Sequence, residues 1–336
     1  MPSIVQCHEF GGPEVLRVVE CADAPLGPGE VRYDVGAFAL NRADLMFLRG
    51  EHYTIPSFPS RIGQEAAGVV TELGEGVTAF QLGDRVTALP FFTSTHGVQG
   101  TSAVTPAEYL TRVPAALDLE QGTAIWMQYL TSWFAFVEVA RLRPDDTVLI
   151  TAAASSAGLG ALQIARLLGV RAIATVRSAA KADLVRAQGA DAVVVTGRDD
   201  LSAAVRDVSG GAGIAASFDP IGGRSLFDYA DLLAEGATVL AYGTLSDEQP
   251  SVPVAAMVRA NAVFHPYSMF NHMREPGQRA RAVAAISAAL ETGRLAPIID
   301  RVFDFHELID AYRYMESNAQ NGKIVVRGES LHATQG

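Results

Sequence analysis

The chain has 336 residues, 49% of them hydrophobic, and carries a formal charge of −11 from 26 basic and 37 acidic side chains. That length accommodates two domains with sizeable cores, and the apolar content argues against intrinsic disorder. The acidic balance argues against nonspecific nucleic-acid binding, while leaving room for a local basic pocket.

The start, MPSIVQCHEF, lacks a basic region followed by a long apolar run. No charge-free apolar stretch reaches transmembrane length, so neither a signal peptide nor membrane insertion is expected. Cys7 and Cys21 are read as reduced thiols of a cytoplasmic protein, with a disulfide between them as the weaker alternative. The first third then alternates β-prone runs (VRYDVGAFAL, GVVTELG, DRVTAL) with turns (GPGE, GEG, QLGD). A short helix is expected after Asn41, and helical periodicity otherwise begins near Thr123.

From there the pattern changes. DDTVLITAAA, RAIATV, ADAVVV, IAASFDP, ATVLAYG and NAVFHP read as six strands. Helical segments fall between them, including one around Leu226 to Leu233. Strands apolar on both faces and separated by helices imply a doubly wound parallel sheet of Rossmann type. After a helix at about Gln278 to Thr292, RVFDF and GKIVVRG do not extend that series and are expected to return to the β-rich domain. The expected boundaries are 1–124 and 268–336 for the β-rich domain and 125–267 for the cofactor domain.

The segment TAAASSAGLG stands where a dinucleotide loop belongs, between the first of these strands and its helix. Its frame is Ala153-x-Ser155-x-x-Gly158, with side chains where glycines commonly permit close backbone approach. Gly158 still lets the helix approach the sheet, Ala157 and its neighbours can donate backbone N–H groups to phosphate, and Ser155 or Ser156 can add a hydroxyl. A tight turn in a nonbinding domain is the alternative. The second strand ends at Val176, where an NAD site commonly places an acid. Arg177, Ser178 and Lys181 follow instead and can surround a 2′-phosphate, which favours NADPH; solvated charges at a helix start are the alternative. Tyr242, Gly243 and Thr244, after the fifth strand, can border the cofactor trough, although Tyr242 also suits a core position. His265 and Tyr267 have no spacing that suggests acid–base work, and His96 reads as an ordinary loop histidine.

Taken together, NRADLMFLRG, GQEAAGVVTELGEGV, GDRV, AAASSAGLG and NGKIVV resemble, in order, the medium-chain dehydrogenase/reductase superfamily, especially its zinc-independent quinone oxidoreductase branch. The resemblance spans Gly11 to Arg327 and implies a GroES-like fold for the β-rich catalytic domain. Zinc-containing relatives carry cysteine near Asn41 and histidine in a GHE motif, whereas this chain has Asn41 and Gln64, with no cysteine beyond Cys21. No metal is therefore expected. The resemblance further implies nicotinamide held in a cleft between domains. Catalytic contacts are expected from Asn41, Tyr53 and Gln64, a carboxamide contact from Thr131, and closure over the cofactor by Asn321 and Lys323. The expected reaction is NADPH-dependent hydride reduction of a small hydrophobic quinone. Reduction of activated enones or enals is the enzymatic alternative, and a non-catalytic NADPH-binding redox sensor is the other. A homodimer, with the NAVF segment pairing across a twofold axis, is expected on the same ground.

Overall fold

A computed structural model describes residues 1–23, 25–91 and 95–328. The chain forms two compact units, Met1–Met127 with Pro297–Gly336, and Gln128–Ala296.

The first unit is β-rich. Its larger sheet has the 11-residue strand Glu30–Leu40 at its centre, flanked by Lys323–Arg327 on one side and Glu65–Leu73 on the other. Ile299–Asp304 lies outside the returning strand, while Arg85–Ala88 and Leu110–Arg112 continue the opposite edge; Ser102–Pro106 also pairs with the central strand. A smaller sheet joins Leu16–Glu20, Ser3–Cys7 and Ser60–Arg61. The core holds Val31, Tyr33, Val35 and Phe38 from the central strand, with Leu45, Leu48, Tyr312 and Val326. Val31, Tyr33 and Val35 follow the two-residue alternation that makes VRYDVGAFAL legible as a strand, and Phe38 joins them beyond a register shift between Val35 and Ala37. The short helix after Asn41 is Arg42–Arg49, closed by Gly50 in the left-handed region.

The second unit contains all six expected strands: Thr147–Ile150, Arg171–Val176, Ala192–Val195, Ile214–Asp219, Leu233–Ala241 and Val263–Pro266. Numbered along the chain, their order in the sheet is 3-2-1-4-5-6, and every pairing is parallel. The fold is thus α/β, with a Rossmann-type sheet and a separate β-rich GroES-like domain. This strand order reverses between the first and fourth strands, where an open parallel sheet leaves a crevice at its carboxyl edge.

Two details differ from the sequence expectations. Residues 268–296 belong to the second unit, because the helices Met269–Met273 and Pro276–Glu291 pack there. His272 stacks on Phe134, Arg281 pairs with Glu138, and the Ala296 carbonyl accepts from Gln163. The segment from Leu226 to Leu233 is not one helix but two 3₁₀ turns, Ser225–Asp228 and Ala230–Leu232, leading directly into the fifth strand. Side-chain bonding overrides the helical pattern here. Ser225 and Tyr229 both donate to Asp219, which draws the chain into tight turns beneath the strand end.

Candidate functional site

The carboxyl edge of the parallel sheet gathers most of the residues expected to hold a dinucleotide. Ser155 caps the 13-residue helix Ser156–Leu168, its hydroxyl accepting the Gly158 N–H at 3.1 Å. The first-turn N–H groups of Ser156 and Ala157 have no carbonyl within their own helix to bond. With the positive end of the helix dipole, they suit an anion. Gly158 is required sterically: a Cβ there would lie 2.7 Å from the Ala153 Cα and carbonyl oxygen. The preceding turn is made by Ala152 at φ 48°, so an L-residue holds the left-handed position expected of glycine.

Next along the edge, Tyr242 stacks on Phe218 with ring centroids 4.0 Å apart. Burial, and secondarily the Asp219 carboxylate, push its phenol well above the usual range; the Ser155 hydroxyl acts in the opposite sense. The Tyr242 hydroxyl is nonetheless buried without a hydrogen bond of normal geometry. Gly243 packs against the neighbouring turn, where a Cβ would meet the Pro220 oxygen at 2.7 Å, and Thr244 is exposed beside it. At the end of the second strand, Arg177 and Ser178 are exposed and Lys181 is half-buried. Ser178 caps the 3₁₀ turn Ala179–Lys181. Thr131 lies apart in a buried contact, its hydroxyl donating to Met269 Sδ at 3.1 Å while its carbonyl accepts from Tyr267.

Asp219, not singled out from the sequence, organises this edge. It is 3% exposed, with Oδ1 accepting from Thr151 and the Ile221 N–H, and Oδ2 from Ser225 and Tyr229. Four donors satisfy a buried carboxylate that would otherwise be costly. The available signal was an acid closing an apolar strand just before Pro220-Ile221-Gly222-Gly223.

In the β-rich unit, strand pairing brings together residues far apart in sequence. Ala39 faces Glu65 and Leu40 faces Ile324, so Asn41, Glu65 and Lys323 meet at one end of three adjacent strands. Lys323, only 1% exposed, places Nζ 2.5 Å from Glu65 Oε2 and donates to Asn41 Oδ1 at 2.6 Å. Asn41 Nδ2 donates to the same Glu65 oxygen at 3.2 Å, and Glu65 Oε1 accepts the Met127 N–H at 2.7 Å. Both ends of the Asn41 amide are therefore engaged inside the unit. Asp44 Oδ2 accepts the Asn41 backbone N–H at 2.9 Å, and Gln64 Nε2 reaches Asp44 Oδ1 at 3.4 Å. Burial drives the Asp44 carboxyl up to about 7; the Asn41 N–H, the Lys323 charge and the Gln64 amide oppose the rise, and Glu65 adds to it.

Tyr53 is 63% exposed, its ring centroid 3.9 Å from that of His52. His52 is buried and accepts the Thr54 N–H through Nδ1. Burial lowers its pKa to about 4, so Tyr53 rests on a neutral imidazole at pH 7. Asn321 Oδ1 is buried without a hydrogen-bond partner. His96 binds Glu30 and Thr95.

Residues 27–115 match the alcohol dehydrogenase GroES-like domain family, and residues 188–326 match the zinc-binding dehydrogenase family. The chain is 30% identical over 268 residues to quinone oxidoreductase 1 of Escherichia coli, covering 79% of this chain and 80% of that protein. It belongs to the quinone oxidoreductase-like branch of the medium-chain dehydrogenase/reductase superfamily. It is also 28% identical to the quinone oxidoreductase of Pseudomonas aeruginosa, across 97% of this chain and 99% of that one. Among solved structures, the E. coli quinone oxidoreductase complexed with NADPH superposes with a TM-score of 0.86 at 26% identity, covering 97% of this chain and 99% of that chain.

The zinc-binding label of one matched family does not fit the side chains present. Zinc in such sites takes thiolate, imidazole and carboxylate ligands. Here Asn41 and Gln64 offer only amides; of the two carboxyl groups beside them, Glu65 already neutralises the Lys323 ammonium and Asp44 is bonded to the Asn41 N–H and the Gln64 amide. A divalent cation placed there would be repelled by a buried positive charge. A dinucleotide, by contrast, fits the sheet edge: a capped helix start, a buried phenol lacking a partner and cations at the second strand end form a polar lining.

Asp44 also links stability to pH. Its folded-state pKa lies above the unfolded one, so its contribution is fully present below about pH 4 and is lost as pH rises through about 7. Replacing Asp44 with Asn removes that loss. The stability gain of Asp44→Asn over the parent should therefore grow between pH 4 and 7 and level off above, reaching on the order of a few kcal/mol. Urea unfolding at successive pH values measures it, and a pH-independent difference would contradict the assignment.

Proposed function

We propose that the protein is a cytoplasmic NADPH-dependent reductase that transfers two electrons to a small hydrophobic quinone without a metal. The observation that carries this reading is the carboxyl edge of the parallel sheet, where Ser155 caps a helix start and Arg177 and Lys181 stand where an acid would select NAD. NADPH, when bound, supplies a hydride from its nicotinamide ring.

The chain's own residues divide the remaining work. Backbone N–H groups of Ser156 and Ala157 hold the pyrophosphate, with Gly158 allowing the close packing beneath it. Arg177, Ser178 and Lys181 enclose the 2′-phosphate, Arg177 through its planar fork and Lys181 as a point charge. Tyr242, Gly243 and Thr244 border the nicotinamide half, and Thr131 orients its carboxamide. Asn321 offers its unpartnered oxygen to the cofactor, and Lys323, enclosed by Glu65 and Asn41, holds the same strand end in place. Tyr53 and Gln64 are assigned to the acceptor, Tyr53 from the surface and Gln64 from a buried position. Tyr53 is exposed and backed by a neutral imidazole, which suits an aromatic ring with polar edges. Hydride addition to a quinone leaves a hydroquinone anion that water can protonate, so no strong protein acid is needed.

A cytoplasmic location is supported by Cys7 and Cys21, both free thiols. Among the described residues, no helix is long and apolar enough to cross a membrane. The acidic surface disfavours nucleic acid as a partner. Homodimerisation is supported by the sixth strand, Val263–Pro266, which stands at the end of the parallel sheet. Val254, Val258 and Val263 are 66%, 73% and 55% exposed beside it. An apolar sheet edge of this kind invites pairing with a second copy.

Three outcomes are expected. Anaerobic NADPH oxidation should depend on added quinone, yield hydroquinone and survive metal chelation; oxidation supported only by enones would redirect the substrate assignment. The double substitution Arg177→Ala and Lys181→Ala should raise the NADPH dissociation constant at least tenfold and leave that of NADH within about twofold; equal losses would remove the phosphate role. Light scattering should show a dimer for the parent chain and a monomer for Val258→Asp, and a monomeric parent would end the edge-pairing proposal.

A further inference from the structure

The pair formed by Asp44 and Gln64 is bonded less completely than its neighbours. Gln64 Nε2 reaches Asp44 Oδ1 only at 3.4 Å, and Gln64 Oε1 is buried with no donor at all. Asp44 Oδ2 is committed to the Asn41 N–H, which leaves Oδ1 to the carboxamide. A buried acceptor without a donor carries a desolvation penalty that a native site usually relieves through a ligand or a rearrangement. A carboxamide offers both remedies, because it has a donor end and an acceptor end of nearly equal size. An ionised Asp44 can only accept, and so takes Nε2. A neutral Asp44 donates its O–H, and so takes Oε1.

We propose that Asp44 is a positioning residue for Gln64, its proton deciding which end of the carboxamide is turned toward the substrate. The inference rests on the reading of Gln64 as an acceptor contact. A quinone carbonyl only accepts hydrogen bonds, so it requires Nε2 and the neutral acid behind it. A hydroquinone hydroxyl can donate, so it is compatible with Oε1 and the carboxylate. The site thereby discriminates oxidised from reduced ligand by one proton held away from the ligand itself.

The surroundings make that proton the variable charge. Three elements bring titratable groups toward Asp44: Lys323 on the returning strand, Glu65 on the strand Glu65–Leu73, and Tyr312 on the helix Leu308–Glu316. Lys323 and Glu65 neutralise each other at 2.5 Å. Burial holds the Tyr312 phenol far above its usual range, and it exchanges hydrogen bonds with Gln99. Asp44 itself, raised to about 7 chiefly by burial, populates both forms near neutrality.

Two measurements test this. In the full-length protein, the Gln64 side-chain amide signals in a ¹⁵N spectrum should shift with a midpoint near pH 7 and lose that titration in Asp44→Asn. In steady-state assays with a 1,4-naphthoquinone, KM should rise about tenfold per pH unit above the midpoint. Asp44→Asn mimics the neutral acid and should hold KM near its low-pH value from pH 6 to 9. If that variant does not fold, Gln64→Ala replaces it and should show a raised, pH-independent KM. Amide signals that do not titrate overturn the proposal, as does a KM slope that persists in the variant. Absence of any quinone turnover would instead defeat the functional reading, while the amide titration would still decide the role of Asp44.

Discussion

A lysine ammonium enclosed in protein must be neutralised where it sits, and the architecture of the β-rich unit turns on how Lys323 meets that demand. Its partners, Asn41 and Glu65, lie 282 and 258 positions away in the chain, yet they converge because three strands pair in one register. Truncating one member of such a pair leaves an uncompensated buried charge, at a cost of about 3–5 kcal/mol. The ion pair thus ties the returning C-terminal strand to the N-terminal sheet after the whole second unit has intervened. It also commits the Glu65 carboxylate, so the residues around Asn41 and Gln64 are held together by the same pair that leaves a cation there no free anionic ligand from Glu65.

That constraint changes what Asn41 can do. Read as a residue type, it offers an amide to a substrate; in the fold, both ends of the amide are spent on Lys323 and Glu65. Gln64 is the opposite case, with one end weakly engaged and the other unpartnered. Two amides at neighbouring strand ends therefore divide the labour: Asn41 holds the electrostatics of the site, and Gln64 keeps hydrogen-bonding capacity in reserve. The distinction follows from partner counts, which neither residue identity nor family likeness supplies.

The sequence made the layered architecture legible because its strongest signals are periodic. Six apolar strands separated by helices leave few alternatives to a parallel sheet, and their order followed the doubly wound pattern. Segments governed by side-chain bonding were less legible. The turns from Ser225 to Leu232 carry helix-compatible residues but answer to the Asp219 carboxylate, and an acid's burial is invisible in a one-dimensional pattern. The Asp44–Glu65–Lys323 cluster was hidden for a related reason. Lys323 was expected to close over the cofactor, and nothing in a one-dimensional pattern showed that strand register encloses it with Glu65 and Asp44.

The loop from Thr151 to Gly160 shows what such a turn demands physically. Glycine-rich versions obtain a left-handed turn, a close helix approach and open N–H groups from missing side chains. Here the three requirements are met separately. Ala152 adopts φ 48° despite its Cβ, a strain of roughly 1–2 kcal/mol that the surrounding strand and helix must hold. Gly158 alone supplies the close approach, since any Cβ would strike the Ala153 backbone. Ser155 satisfies one N–H at the helix start and leaves those of Ser156 and Ala157 without an intrahelical acceptor. Glycine count is therefore a poor measure of this loop. A serine cap and one strained alanine place backbone donors at the edge of the sheet just as a run of glycines would, with less conformational freedom to lose when the chain folds.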